Sequence, residues 1–360
     1  MKKIFLRAAL SLLLLLSVIL TSGCGNTVSV YELTGETAWY EYPVSKAPIR
    51  TVCVGDTWYS LMGVYGGSDF SLSVSGDYST VNEVYSVCGV GIWFFNADEN
   101  GAVWCEMSSV GRSFKYYCNS TGEVKEIFYA DITEGFQNAN IEMYNGGVYF
   151  SYIDYENESA FLMRYDIAKD TLEKFYRLEY MGEASCTSFT VEGNVLLASV
   201  GSAEKDTKLI KLDLDKAPLC ETWDIPSDVA FVYACAYDPM GVCHAIYYRD
   251  IKGEEHIGAL DAKTLKLRNI FTFGENIYAY EDKVEAYGGH IYWINQANVS
   301  GPVGDHYRFI DYNVTDDIVE EYIRTFHFSL SEDGIMLLSF NRLEYDSIYL
   351  SCIYLGGKKK

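Results

Sequence analysis

Five histidines, fifty carboxylates and ten cysteines are the residues of this 360-residue chain that could do chemistry. The histidines are His244, His256, His290, His306 and His327. His256 and His306 each stand five residues ahead of an aspartate, Asp261 and Asp311, that closes an apolar run. Glu254 and Glu255 lie beside the first and Asp305 beside the second, so each group could hold an ion weakly by itself; the simpler reading is polar loop residues. Cysteine spacing adds nothing metallic, because no CxxC occurs and neither a zinc ribbon nor a thioredoxin-like dithiol is supported. GxSxG, HExxH, P-loop and dinucleotide fingerprints are also missing. The expectation is therefore recognition without a cofactor or a resident metal, and without a catalytic residue that a motif can identify.

The elements that would position these residues repeat. Asn119, Asp166, Asp213, Asp261 and Asp311 each end an apolar run and open a polar turn, at spacings of 47, 47, 48 and 50. A dense apolar run lies ahead of each and a sixth follows the last: Gly91 to Phe95, Gly147 to Phe150, Asn194 to Leu197, Gly241 to Cys243, His290 to Trp293 and Gly334 to Leu338, spaced 56, 47, 47, 49 and 44. A period of about 40 to 50 residues, with short strands and turns in every unit, is the pattern of propeller blades. Together with Gly55 to Tyr59 the column counts seven. The fold expected is thus all-β: a seven-bladed β-propeller of four-stranded antiparallel blades. An N-terminal strand near residues 38–42 would close the ring by pairing with 347–355 and remove an exposed sheet edge.

Within that frame most of the conspicuous residues are structural. An aspartate that opens a turn accepts hydrogen bonds from the backbone two residues on, which accounts for the Asp column. Trp93, Tyr149, Tyr292 and Trp293 fall on strands sandwiched between blades and are expected in the core. His256 and His306 would stand on third strands, about two strand spacings of ~4.8 Å from the axis and so well over ~10 Å apart. They would not share a metal. What is left is one rim, where the connections between second and third strands carry Asp98, Glu99, Asp154, Glu156, Glu204, Glu254, Glu255 and Asp305. The longest of these, Asn96 to Arg112, also carries Trp104, and the connections between blades add Phe136, Tyr180, Tyr278, Tyr280 and Phe326. Loops on a rigid scaffold are where binding residues gather, so these nine residues form the candidate ligand face.

Residues 1–23 are of another kind: Lys2, Lys3 and Arg7, then an apolar stretch from Ala8 to Leu20, then Thr21, Ser22 and Gly23 before Cys24. This is an export signal, with an apolar part too short to span a bilayer comfortably. TSGC after Leu20 resembles the bacterial lipoprotein box, in which the cysteine is lipidated and becomes the new N-terminus; the alternative is an ordinary secretory signal with an incidental cysteine. Acyl chains contribute about 0.8 kcal/mol per buried methylene, enough for a diacylated Cys24 to hold a domain on the outer face of the cell membrane. The chain carries 28 basic and 50 acidic residues, a net charge of −22. Losing the signal removes three bases and no acid and leaves −25. Nucleic acid is excluded as a partner, whereas an envelope protein or glycan suits an exported surface. Nine cysteines remain besides Cys24, an odd number that indicates mostly free thiols, although Cys235 and Cys243 flank a turn and could meet across it.

Gly289-His290-Ile291-Tyr292-Trp293-Ile294-Asn295 resembles the YWTD signature of low-density-lipoprotein-receptor-type propellers, and Gly147 to Phe150 is a looser copy. Ile294 and Asn295 replace the Thr and Asp of that signature. With the lipoprotein box, the chain is similar to uncharacterised bacterial lipoproteins that carry such repeats. The resemblance implies a propeller with an interaction role and carries over no catalytic residue. The reading is therefore a signal peptide (1–23), a lipidated tether (24–33) and a propeller (34–360), anchored outside the cytoplasm as a binding or assembly module. A carbohydrate-active enzyme of glycosidase or lyase type, using carboxylates on the loop-rich face, is the alternative.

Overall fold

The structure is a computed structural model; it describes residues 28–31, 39–43, 47–63, 68–76, 81–131, 140–182, 184–202, 205–216, 220–275, 277–297, 307–323, 325–330, 335–342 and 347–354. Cys24, Glu204 and Asp305 lie outside them, as do His306 and the proposed signal. No helix among the described residues is long and apolar enough to cross a membrane.

Blade 3 shows how sequence becomes structure. Its four strands are Ile141–Tyr144, Gly147–Asp154, Ser159–Asp166 and Thr171–Leu178, each antiparallel to the next. The second strand, GVYFSYID, is buried along nearly its whole length because neighbouring blades cover both its faces. The fourth, TLEKFYRL, is exposed over its first half and carries polar residues there. Five other blades repeat this plan over residues 47–88, 91–131, 188–224, 229–272 and 277–323. The second strands of the six blades begin at Thr57, Gly101, Gly147, Val195, Cys243 and His290.

Apolar clusters join each blade to the next. Tyr59, Leu61 and Leu72 of blade 1 pack with Trp104 and Tyr117 of blade 2. Phe114 of blade 2 stacks on Phe150 of blade 3, with ring centroids 4.7 Å apart. The same pattern runs through blades 3 and 4, 4 and 5, and 5 and 6. Tyr149, Tyr292 and Trp293 sit in this core as expected.

The expectation of seven like blades is corrected to six. Each of the six is four consecutive antiparallel strands and takes nothing from the N-terminus to be complete; Val28–Tyr31 runs parallel along the outside of an already full blade 6. The C-terminal strands Thr325–Leu330, Ile335–Arg342 and Ser347–Tyr354 are only three, and they share a separate sheet with Trp39–Pro43. The expected contact of residues 38–42 with 347–355 is present as Trp39–Pro43 against Ser347–Ser351, but the sheet it forms is not one of the six blades of four consecutive strands and so is not the closure of a seventh like blade. The physical reason is that an apolar column counts one strand per unit, whereas a blade needs four in succession. The column itself also slipped once: Gly91–Asp98 is the first strand of blade 2, and Gly101–Met107 is its second. Gly101 marks the slip, because a Cβ there would come within 1.8 Å of the Tyr117 carbonyl oxygen.

The Asp-led turns form as expected in three blades. Asp166 Oδ1 accepts from Lys169 N at 3.0 Å, Asp213 Oδ1 from Asp215 N at 3.1 Å, and Asp261 Oδ1 from Thr264 N at 2.7 Å. Asp311 departs from the column. Asn313 leads that turn, and Asp311 instead lies 2.7 Å from His290 Nδ1, an interaction that raises the imidazole's affinity for a proton. Cys235 and Cys243 are both free thiols.

His244 carries a measurable consequence. Its ring lies between Trp223 and Tyr237, at centroid separations of 5.2 and 4.6 Å, and its Nδ1 accepts the backbone N–H of Asp238. Burial pushes its pKa down to about 4. The folded state therefore holds this imidazole neutral while the unfolded chain would protonate it near pH 6.5. Stability from this group is full above that pH and is lost as pH falls toward 4, by on the order of 3 kcal/mol. In chemical unfolding from pH 7 to pH 4.5, His244→Phe is expected to show a shallower loss than the native chain; parallel curves would contradict the assignment.

Candidate functional site

Strand register decides which face each acid occupies. In blade 3 the pair Asp154↔Ser159 closes the connection between second and third strands, and Ala160↔Leu178 puts the exit toward blade 4 at the same end. Asp154 and Glu156 stand on this face, and so do Asp250, Glu254 and Glu255 of blade 5, whose second and third strands are joined at Arg249↔Glu255. Glu156 and Glu254 are exposed. Asp154 caps its turn, accepting from Asn157 N at 3.0 Å and Asn157 Nδ2 at 2.8 Å, which holds its carboxyl below the ordinary carboxylate range. Glu255 is half-buried and accepts hydrogen bonds from Tyr233 (3.1 Å) and Tyr247 (2.6 Å).

Three of the nine predicted residues are placed elsewhere. Asp98↔Gly101 closes the turn between first and second strands of blade 2, so Asp98 and Glu99 lie on the opposite face, beside the Asn119 turn. Asn119 Nδ2 donates to the Glu99 carbonyl at 3.1 Å. Asp98 is nearly buried and serves the turn, accepting from Asn100 N and Gly101 N; burial nevertheless raises its pKa. Trp104 is 0% exposed, within the second strand of blade 2, and donates from Nε1 to Glu106 Oε1 at 2.9 Å. All three follow from the slip at Gly91, which turned a strand into an apparent loop.

A second constellation escaped the sequence reading. Glu142, on the first strand of blade 3, is 8% exposed and accepts hydrogen bonds from Asn96 Nδ2 of blade 2 and from Asn140 Nδ2. The two amides are oriented by their own backbones, since Asn96 Oδ1 accepts from Ala97 N and Asn140 Oδ1 from Ile141 N. Burial raises the Glu142 pKa well above the carboxylate range, and the charge of Glu285 on blade 6 raises it further, against the opposing pull of Lys283. Lys283 Nζ lies 3.3 Å from Glu285 and donates to the Phe328 carbonyl at 2.9 Å. First strands of blades 2 and 3 thus join an amide to a carboxyl whose proton affinity is raised, and the lysine–glutamate pair on the first strand of blade 6 acts on it through its charges. Burial biases this carboxyl toward its protonated form, the form from which a general acid acts. No motif announces it, because its members are separated by up to 189 residues.

No family model matches the chain, and no curated protein matches it in sequence. Solved structures match it in shape. The β-propeller domain of the Trilobed protease from Pyrococcus furiosus is 8% identical, with a TM-score of 0.58 over 86% of this chain and 94% of that one. Oligogalacturonate lyase from Vibrio parahaemolyticus is 10% identical, with a TM-score of 0.52 over 88% and 96%. Acylaminoacyl peptidase from Pyrococcus horikoshii is 9% identical, with a TM-score of 0.55 over 85% of this chain and 51% of that one. At such identities the likeness extends to the fold alone, and the chain is a β-propeller.

Proposed function

We propose that this chain is a lipid-anchored, extracytoplasmic binding propeller that presents its acidic face to an envelope protein or glycan, with Cys24 as the anchor. One observation carries the reading: Glu156, Glu158 and Glu254 project from one face into solvent. On the opposite face the conspicuous aspartates Asp98, Asp166, Asp213 and Asp261 are tied to turn backbone. Charges of this exposed kind steer a partner and set its on-rate more than they hold it. The anchor rests on the basic, apolar and small-residue sequence that ends at Cys24.

Capture of envelope partners tests both parts at once. Changing Glu156, Glu158 and Glu254 together to Gln is expected to weaken capture of a cationic partner several-fold and to flatten its salt dependence, as charges are screened beyond about 8 Å at physiological ionic strength. The matched change of Glu99 and Glu123 on the opposite face is expected to leave capture intact. Cys24→Ala is expected to release the protein from the membrane, with mass spectrometry of the mature N-terminus showing the acyl chains on the native chain. Full capture by the Glu156 block, with loss in the Glu99 block, would assign recognition to the other face.

Glu142 favours the second reading, a carbohydrate-active enzyme, because a carboxyl whose proton affinity is raised by burial and by the charge of a second acid has the character of a general acid. One structural likeness is to oligogalacturonate lyase, although a net charge of −22 suits a neutral glycan better than a polyuronate. Turnover of an oligosaccharide that Glu142→Gln abolishes is the observation that would favour it over binding.

A further inference from the structure

Asp250, Glu254 and His256 bring a carboxylate, a second carboxylate and an imidazole together with their ligand atoms within 4.8 Å of one another. We propose that these three residues form a divalent-cation site of the first-row transition-metal class, Mn²⁺ or Zn²⁺, at the edge of the acidic face. The inference goes beyond the binding reading and does not need it.

His256 is the observation that separates this group from an ordinary acidic loop. It is 5% exposed, starts from a strand paired on both sides, and packs its ring 5.0 Å from that of Tyr248. Its Nδ1 is engaged by Thr272 Oγ1 at 2.9 Å and Asn269 Nδ2 at 3.0 Å, on the side away from the carboxylates. Nε2 faces them, with Asp250 Oδ2 3.5 Å away. That is longer than the roughly 2.7–2.9 Å of a charge-assisted hydrogen bond. The Asn269 amide nitrogen donates to Nδ1, so an ion at Nε2 would take the place of the Nε2 proton, with Nδ1–H turned to the Thr272 hydroxyl oxygen as metal-ligating histidines donate their second nitrogen.

The carboxylates are arranged to match. Asp250 Oδ1 is occupied by Lys252 N and Glu254 N, both at 2.9 Å, so Oδ2 is the oxygen presented to His256. Glu254 is exposed, and its carboxylate has no hydrogen-bond partner among the described residues. It can swing onto an ion without breaking a contact. One nitrogen and two oxygens suit a borderline ion; Ca²⁺ and Mg²⁺ favour all-oxygen shells. Three protein ligands also leave positions for water or for a donor atom of a bound partner.

The test is titration of the full-length, chelator-stripped chain, free of tag histidines, with MnCl₂ and with ZnCl₂ by calorimetry, alongside the melting temperature. One equivalent of ion is expected to bind and to raise the melting temperature in proportion to occupancy. Glu254→Gln, an exposed change that leaves the fold alone, is expected to weaken binding at least about tenfold, and Thr272→Val to weaken it by about 10- to 100-fold by releasing the ring. Absence of saturable binding, or equal binding by Glu254→Gln, overturns the site. Partner capture reads the binding proposal separately, so either can fail alone.

Discussion

Asp238→Ala is expected to destabilise the propeller by at least about 4 kcal/mol, the cost of leaving several buried donors without a partner. Asp238 is 0% exposed in the turn between first and second strands of blade 5. Its Oδ1 accepts from Met240 N (3.0 Å) and from Gly288 N of blade 6 (2.9 Å), and its Oδ2 from Val242 N (2.9 Å) and Cys243 N (3.1 Å). One carboxylate therefore satisfies four backbone N–H groups and ties two blades together. Asp238→Asn keeps a single acceptor oxygen and is expected to recover part of the loss. Asp166→Ala provides the contrast, because its turn offers one backbone N–H and its Lys169 partner is largely exposed; about 1 kcal/mol is expected there. Equilibrium denaturation of the three variants decides the matter, and equal losses for Asp238 and Asp166 would refute the inter-blade role.

Trp104→Ala is expected to cost about 3 to 5 kcal/mol, as truncations of large buried aromatics do. The indole fills the layer between blades 1 and 2, with the Tyr85 ring at 5.2 Å. Its loss also takes a donor from Glu106, which is 7% exposed and is then left with the Tyr85 hydroxyl at 2.8 Å. Trp104→Phe keeps most of the volume and is expected to lose less, the difference reporting the Nε1 hydrogen bond. If Trp104→Ala kept its full stability and lost partner capture, Trp104 would be a contact residue after all.

Some of this was legible in the chain. The blade period could be read because a second strand buried on both faces must be apolar throughout, so each unit leaves the same dense run. The Asp-led turns at Asp166, Asp213 and Asp261 could be read because an aspartate bonds to backbone two or three residues on, a contact that needs no tertiary partner. Asp311 shows where such reading stops: the spacing was nearly right, but the turn begins at Asn313, and Asp311 is bound to His290 on the adjacent strand.

Sequence alone thus determined the class of fold, the period, the local turns and the acidic balance, all of which are properties of neighbouring residues or of totals. Tertiary structure decided the number of complete blades and the face on which each acid lies. A single unit's phase moved Asp98 and Glu99 to the far face and Trp104 into the core, because successive strand ends alternate between faces. It also decided the group around Glu142 and the turn of His256 toward Asp250. First strands of neighbouring blades touch, as Asn96 does Glu142, and a fourth strand holds the His256 imidazole from behind only once the strands are packed, and no spacing along the chain encodes either approach.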